Sequence, residues 1–389
     1  MSQSNVNFDM IAKTLFGFES VLANELLQLG AQSIQPGVRH VRFRGDLGFL
    51  YKASLCLRTA LRILVPIHSA KIQKESDFYQ AVLRIPWEAY MDLETRFSIQ
   101  VTQSSDLFRN TMFAAQKAKD ALVDRFRKQT GKRPSVGRED PDLSIHIHIG
   151  RGRLEVSLDA SGASLHRRGY RTATNIAPIN EVLAAGILLL SGWKGETDFL
   201  DPMCGSGTLP IEAAMIACNI PPQLNRKQFA FERWKNWDAD LFDLIRASAL
   251  KKTRDFQHTI VGYDKAPSAV RKAQDNVTQA GLSDFVQIER QDFFRSAKPK
   301  PDAPLHLVFN PPYGERLPID MKLFYGRIGD TLKQLYPNSD AWMISSNMEA
   351  LKNVGLRATQ KTKLFNGKLE SRLVHYTLYQ GSLKTHKHA

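Results

Sequence analysis

Cysteine is nearly absent: Cys56, Cys204 and Cys218 are the only thiols of the chain. They are too few and too scattered for a disulfide framework or a zinc site. Long apolar runs are missing as well. The longest, Val182–Leu190, is broken by a glycine and spans about half of a bilayer, so no transmembrane segment is expected. Met1–Met10 lacks a basic stretch followed by an apolar one, which argues against a secretion signal. A reducing cytoplasm is the expected compartment. Acidic residues are in deficit, 39 against 53 Lys and Arg, a formal net charge of +14. That balance favours polyanionic partners, because each neutralised phosphate releases counterions. The excess is shared: residues 1–170 hold 24 basic and 17 acidic residues, the remainder 29 and 22. Neither half is a lone basic tail, and a bound nucleic acid is expected to touch both.

The chain has 389 residues, 43% of them hydrophobic, enough for two or three soluble globular domains. No internal repeat is visible. The first 60 residues read as strand, helix, strand, helix. Met10–Phe16 is short and apolar, and Gly17 opens a helical pattern that Gly30 stops. Val38–Arg44 alternates with the period of a half-buried strand, and Leu47–Leu57 reads as a second helix. Leu61–His68 is a strand, Asp77–Ala81 and Trp87–Tyr90 short helical turns, Arg96–Val101 a strand and Met112–Gln129 a long basic helix. Ile145–Ile149 and Leu154–Leu158 form a hairpin. His146 and His148 share one face of it, with neither Cys nor an acid nearby in the sequence, and a plain exposed face is expected. Ser161–Arg171, small, polar and basic, reads as the passage between domains.

From Thr172 strands and helices alternate, which predicts an α/β fold with a parallel sheet covered on both faces. Pro221–His258 interrupts this run as an insertion with helical character. Asn366-Gly367, between two late strands, is expected to be a simple hairpin turn.

The chemistry gathers at the ends of the strands in this second half. Asp201-Pro202-Met203-Cys204-Gly205-Ser206-Gly207-Thr208 joins a strand to a helix. Gly205 and Gly207 permit unusual backbone angles and close approach of a ligand. The leading acid would repel a pyrophosphate but suits a cationic amino group, and the third glycine of a dinucleotide fingerprint is missing. Asp264 ends the next strand, where an acid can accept from ribose hydroxyls. Asp292 follows the third strand and could accept from an adenine amine. Asn310-Pro311-Pro312-Tyr313 follows the apolar strand Leu305–Phe309. The two prolines stiffen the turn, so that the Asn310 side-chain oxygen and the Pro311 carbonyl become fixed acceptors for one exocyclic amine. Tyr313 offers a flat face to a base lifted out of its stack.

Residues from Thr172 onward resemble a class I S-adenosylmethionine-dependent methyltransferase that acts on amines. Asn310–Leu317, the Asp201–Thr208 loop and Leu165–Arg171 are similar to the THUMP-domain large-subunit ribosomal RNA guanine-N2 methyltransferases, and the resemblance covers nearly the whole chain. It implies a Rossmann-like sheet of parallel strands with an antiparallel edge strand, preceded by a ferredoxin-like element (1–60) and an α+β THUMP RNA-binding region (61–160). Residues 161–171 then form a linker and 172–389 the methyltransferase domain, with its helical insertion at 221–258. S-adenosyl-L-methionine is the implied methyl donor, without a metal, and a guanine N2 amine of 23S ribosomal RNA the implied acceptor. Asp201, Gly205, Gly207, Thr208, Asp264 and Asp292 would hold the donor, and Asn310, Pro311, Pro312 and Tyr313 the base. Relatives usually carry a lysine where this chain has Asn180, so that residue receives no role. Some bacterial relatives fuse a second methyltransferase domain, for which a chain ending at Ala389 leaves no room, and a single methylation activity is expected. Two alternatives stay open: N6-adenine methylation of RNA or DNA by the same Asn-Pro-Pro-Tyr logic, and a non-catalytic RNA-binding assembly factor.

Overall fold

The computed structural model describes residues 6–137, 139–171, 178–312 and 320–380. The N-terminal half opens with strand β1 (Phe8–Lys13), helix α1 (Glu19–Leu29), the hairpin β2 (Gln32–Gly37) and β3 (His40–Gly45), and helix α2 (Leu47–Cys56). Gly30 ends α1 in the left-handed conformation, and the Asp46 side chain caps α2 by accepting from the Phe49 amide. Strand β4 (Arg62–Lys71), helix α3 (Glu75–Leu83), strand β5 (Phe97–Gln103), helix α4 (Thr111–Thr130) and the hairpin β6 (Leu143–Gly150) and β7 (Arg153–Asp159) complete it. All seven strands lie in one sheet, in the order β2-β3-β1-β4-β7-β6-β5. The first 60 residues and the segment after them therefore share a single sheet, joined where β1 pairs antiparallel with β4.

Sequence reasoning passed over β2, whose polar, proline-containing Gln32–Gly37 sits exposed at the sheet edge. It also read α3, nine residues long, as a single turn.

The second half carries helix α5 (Glu181–Leu190), strand β8 (Asp198–Asp201), helices α6 (Thr208–Ala217) and α7 (Ala239–Leu250), strand β9 (Ile260–Asp264), helix α8 (Pro267–Gln279) and strand β10 (Val286–Arg290). Then follow β11 (Leu305–Phe309), α9 (Met321–Leu335), β12 (Ser339–Ser345), the short helix α10 (Met348–Leu351) and the hairpin β13 (Gln360–Asn366) and β14 (Leu369–Leu378). The sheet order is β10-β9-β8-β11-β12-β14-β13. Strands β10 to β12 are mutually parallel, and β14 pairs antiparallel with both β12 and β13. The antiparallel strand thus stands second from the edge, and its hairpin partner β13 is outermost. Asn366-Gly367 forms the expected turn between them.

The insertion does not stand apart from the N-terminal half. Phe229, Phe231 and Trp234 belong to the core of the first sheet. Tyr51 of α2 packs against Phe231, Trp237 and Phe242, the last two edge-on, with ring centroids 4.7, 5.2 and 5.7 Å away. Burial of such aromatic surface contributes about 25 cal/mol per Å2, so the segment fixes one half on the other. Lys235 adds a contact to Asp92, and Arg233 one to Asp140.

The passage Ser161–Arg171 is likewise no solvated tether. Ser161, Leu165, Arg168 and Tyr170 are buried, and the Ser161 hydroxyl accepts from the Ile63 amide. His146 departs from the exposed-face expectation. It is largely buried and lies 3.4 Å from Asp159 at the end of β7, which also binds Arg62. His148 on the same face is exposed and hydrogen-bonds the Thr102 hydroxyl.

Candidate active site

Four parallel neighbours, β10, β9, β8 and β11, end at one edge of the second sheet. Their carboxyl ends carry, in that spatial order, Asp292, Asp264, Asp201 and Asn310. Strand order reverses between β8 and β11, and in open α/β sheets such a switch point leaves a crevice at the strand ends. A cavity of about 430 Å3 lies there, and Asp201, Gly205, Asp264, Asp292, Asn310 and Pro312 all line it.

Asp201 is 2% exposed. Its Oδ1 accepts from the Met203 amide at 3.1 Å. Burial, with the Asp264 charge adding to it, pushes its carboxyl well above the ordinary value. Such a carboxylate is poised to gain from a cationic partner. Asp264 closes the glycine loop against β9: its Oδ2 accepts from the Gly205 amide at 3.1 Å and its Oδ1 from the Ala266 amide at 2.9 Å. Asp292 caps the short helical turn after it by accepting from Phe294 N at 3.0 Å. Gly205 has φ +55°, and a Cβ on it would meet no atom within 4 Å, so the loop leaves room above its backbone.

The Asn310 Oδ1 is buried and has no hydrogen-bond partner among the described residues. A buried acceptor left unpaired costs free energy of about 1–3 kcal/mol, and here it borders an open cavity. Pro311 is buried and is not among the residues that line the cavity. Tyr313 lies outside the described residues.

Two of the expected cofactor residues do not line the cavity either. Gly207 (φ +79°) packs on α8, where a Cβ would fall 3.2 Å from that of Ala273. Thr208, 2% exposed, turns its hydroxyl to Arg171, which donates to it at 2.9 Å. Both shape the loop from behind, because the helix start faces the protein interior.

Sequence reasoning missed what holds that interior. Arg171 also pairs with Glu181 at 3.1 Å, clamping the start of α5 to the start of α6. Arg168 binds Glu212, one turn further along α6. Asn276 of α8 donates to the Ser206 carbonyl at 2.9 Å. Hydrophobic walls come from Ile179, Phe293, Phe294 and Phe324, and Lys265 and Lys272 stand at the rim. Of these, only the aromatic pair after Asp292 carried a local signal, as it directly follows a strand end. Among the described residues, no cluster of three or more His, Cys, Asp or Glu is placed to hold a metal ion.

A mostly parallel seven-stranded sheet with one reversed strand, a glycine loop after β8 and acids on three successive strand ends define a class I methyltransferase fold. Comparison with protein-family models agrees. Residues 168–375 match the RMKL-like methyltransferase domain, 9–64 the RlmL ferredoxin-like domain and 73–159 the THUMP domain. The chain belongs to the RMKL-like methyltransferase family. A curated relative from Cellvibrio japonicus (strain Ueda107), named ribosomal RNA large subunit methyltransferase K/L, is 37% identical over 375 residues, 93% of this chain and 50% of its own. The chain thus spans about half the length of the curated relatives it matches. The crystal structure of SMU.472 complexed with SAH has a TM-score of 0.86 at 31% identity, covering 98% of this chain and 100% of that one. A Listeria monocytogenes str. 4b F2365 protein, named as a predicted N6-adenine-specific DNA methylase, has a TM-score of 0.85 at 28% identity, covering 96% and 97%.

Proposed function

We propose that the chain is an S-adenosylmethionine-dependent methyltransferase that modifies the exocyclic N2 amine of a guanine in large-subunit ribosomal RNA. The observation that carries this reading is the buried Asn310 Oδ1, without a hydrogen-bond partner among the described residues, at a cavity whose other strand ends present three acids.

The residues present suit S-adenosylmethionine. The open space above Gly205 can admit its methionine part. Asp201 would hold the amino group, Asp264 the ribose hydroxyls and Asp292 the adenine amine. The cofactor when bound supplies an electrophilic methyl group on a sulfonium.

The chain's own part is to bind, orient and exclude water. Asn310 Oδ1 and the Pro311 carbonyl would accept both hydrogens of one amine, which keeps the nitrogen lone pair out of the ring. Holding amine and methyl in line supplies much of the rate by proximity. The amine loses its extra proton after transfer, so no residue need act as a base beforehand.

The N-terminal half supports RNA as substrate through its match to the THUMP domain. In this reading residues 1–160 deliver RNA and 172–389 carry out transfer, with the segment 221–258 joining them. The relatives named as ribosomal RNA large subunit methyltransferases favour ribosomal RNA, and guanine N2 rests on the family resemblance of Asn310–Leu317. The Listeria neighbour keeps adenine N6 as the second reading, because Asn310 and Pro311 recognise an amine on either base. The purified chain, incubated with S-adenosylmethionine and large-subunit RNA, is tested by mass spectrometry of the nucleosides. N2-methylguanosine is the expected product, and N6-methyladenosine would overturn the substrate while keeping the chemistry.

A further inference from the structure

A second cavity, of about 230 Å3, shares no lining residue with the first and lies between α1 and α2 on one side and α7 on the other. Lys52, Arg58 and Lys252 line it together, with Glu25 as the one acid on its wall. None of the three cations has an ion-pair partner among the described residues.

Glu25 offsets part of the Arg58 charge and leaves the wall with a net positive excess from Lys52 and Lys252. It accepts from the Arg58 amide at 2.8 Å, from the Thr59 amide at 3.1 Å and from the Thr59 hydroxyl. Lys52 gives one hydrogen to the Leu29 carbonyl at the end of α1 and has others to donate. Burial, and after it the facing charge of Lys252, hold the Lys52 ammonium below its ordinary value. Arg58 is nine-tenths buried and binds the Ile220 carbonyl, while its Nη1 has no acceptor among the described residues. Gln28 and Ser248 add neutral donors to the same wall.

Like charges left unpaired in a concave site repel one another, and a cleft with low-dielectric walls focuses their field on whatever anion enters. Ammonium and guanidinium groups bind phosphate through charge-assisted hydrogen bonds about twice as strong as neutral ones. We propose that this cavity is a phosphate-binding site formed by Lys52, Arg58 and Lys252 at the seam between the N-terminal half and α7. Its ligand is either a phosphate group of a bound RNA or free phosphate. The first source fits the even division of basic excess between the two halves of the chain, since a phosphate here touches both.

The test uses the full chain and inorganic phosphate as the probe, titrated calorimetrically against chloride at matched ionic strength. Wild type, Lys52→Met and Lys252→Gln are compared. Lys252 is exposed, so its variant is expected to fold even if Lys52→Met does not. Each substitution is expected to weaken phosphate binding by about tenfold, the usual loss for one charged hydrogen bond. Affinity for S-adenosylmethionine should stay unchanged, which separates this site from the active site. A ribosomal RNA fragment is then added as competitor. Displacement of phosphate assigns the site to the RNA backbone, and phosphate retained beside bound RNA assigns it to the free ion. No phosphate binding by wild type, or equal binding by wild type and Lys252→Gln, overturns the proposal.

Discussion

Arg168 and Glu212 face each other in the interior, both side chains fully buried, joined at 3.0 Å from Nε and 3.3 Å from Nη2. The same Nη2 donates to the Arg58 carbonyl at 2.6 Å, and Nη1 donates to that of Leu165. One guanidinium therefore ties the N-terminal half to α6, the helix that opens at the glycine loop. Breaking one side of such a pair leaves an unpaired buried charge, a loss of about 3–5 kcal/mol. Glu212→Ala is expected to lower stability by that amount in chemical denaturation. The double variant Arg168→Met/Glu212→Leu should recover part of it. A single variant as stable as wild type would contradict the pairing.

Asp264 is expected to serve the cofactor twice, by its own hydrogen bonds and by fastening the Gly205 amide. Asp264→Ala should weaken S-adenosylmethionine binding by about 1–3 kcal/mol. Calorimetry with the purified chain checks this, and unchanged affinity would remove Asp264 from the site.

The raised carboxyl of Asp201 has a pH signature. The folded protein holds this proton more tightly than the unfolded chain does. The group's contribution to stability is thus full below the ordinary value of 3.8 and is lost as pH rises from there through the folded-state value. At neutral pH, without cofactor, Asp201→Asn should be the more stable protein, and its advantage should shrink toward acid. The same change should cost cofactor affinity. Thermal melts between weakly acidic and neutral pH decide the matter; a variant less stable than wild type at neutral pH contradicts the assignment.

An isolated catalytic segment, roughly residues 165–389, is not a clean test of RNA delivery. It would expose Phe231, Trp237 and Phe242, which pack on Tyr51. Poor solubility of that fragment is expected. Exposed charges on the long helix α4 serve better. Arg127 and Lys128 lie in its last turn and face solvent. Arg127→Gln/Lys128→Gln should weaken RNA binding and lower the salt slope by about one unit per lost phosphate contact, with cofactor affinity intact. Filter binding across a salt series measures it, and an unchanged slope places the RNA elsewhere.

The legible part of the molecule was what local pattern encodes. Asp201 and Asp264 end buried strands and Asn310 follows one, which places them at one sheet edge, whereas Asp292 follows the mostly polar, largely exposed β10 and is placed only by the alternation of strands and helices. The glycine loop was legible in outline, yet Gly207 and Thr208 turned out to face the interior. Their orientation depends on α8 and Arg171, which no local pattern contains. The grip on α6 was illegible for the same reason: Arg168 and Glu212 are 44 residues apart. A run as polar as Leu165–Arg171 reads as surface until its partners are known. The insertion misled in the opposite sense, since its aromatic residues announce burial but not against what.

The most direct test of the central claim is nucleoside mass spectrometry of large-subunit RNA after incubation with S-adenosylmethionine and either wild-type chain or Asn310→Ala. The account predicts N2-methylguanosine with wild type and none with Asn310→Ala, while calorimetry finds cofactor binding nearly equal in both. Methylation undiminished in Asn310→Ala would contradict it.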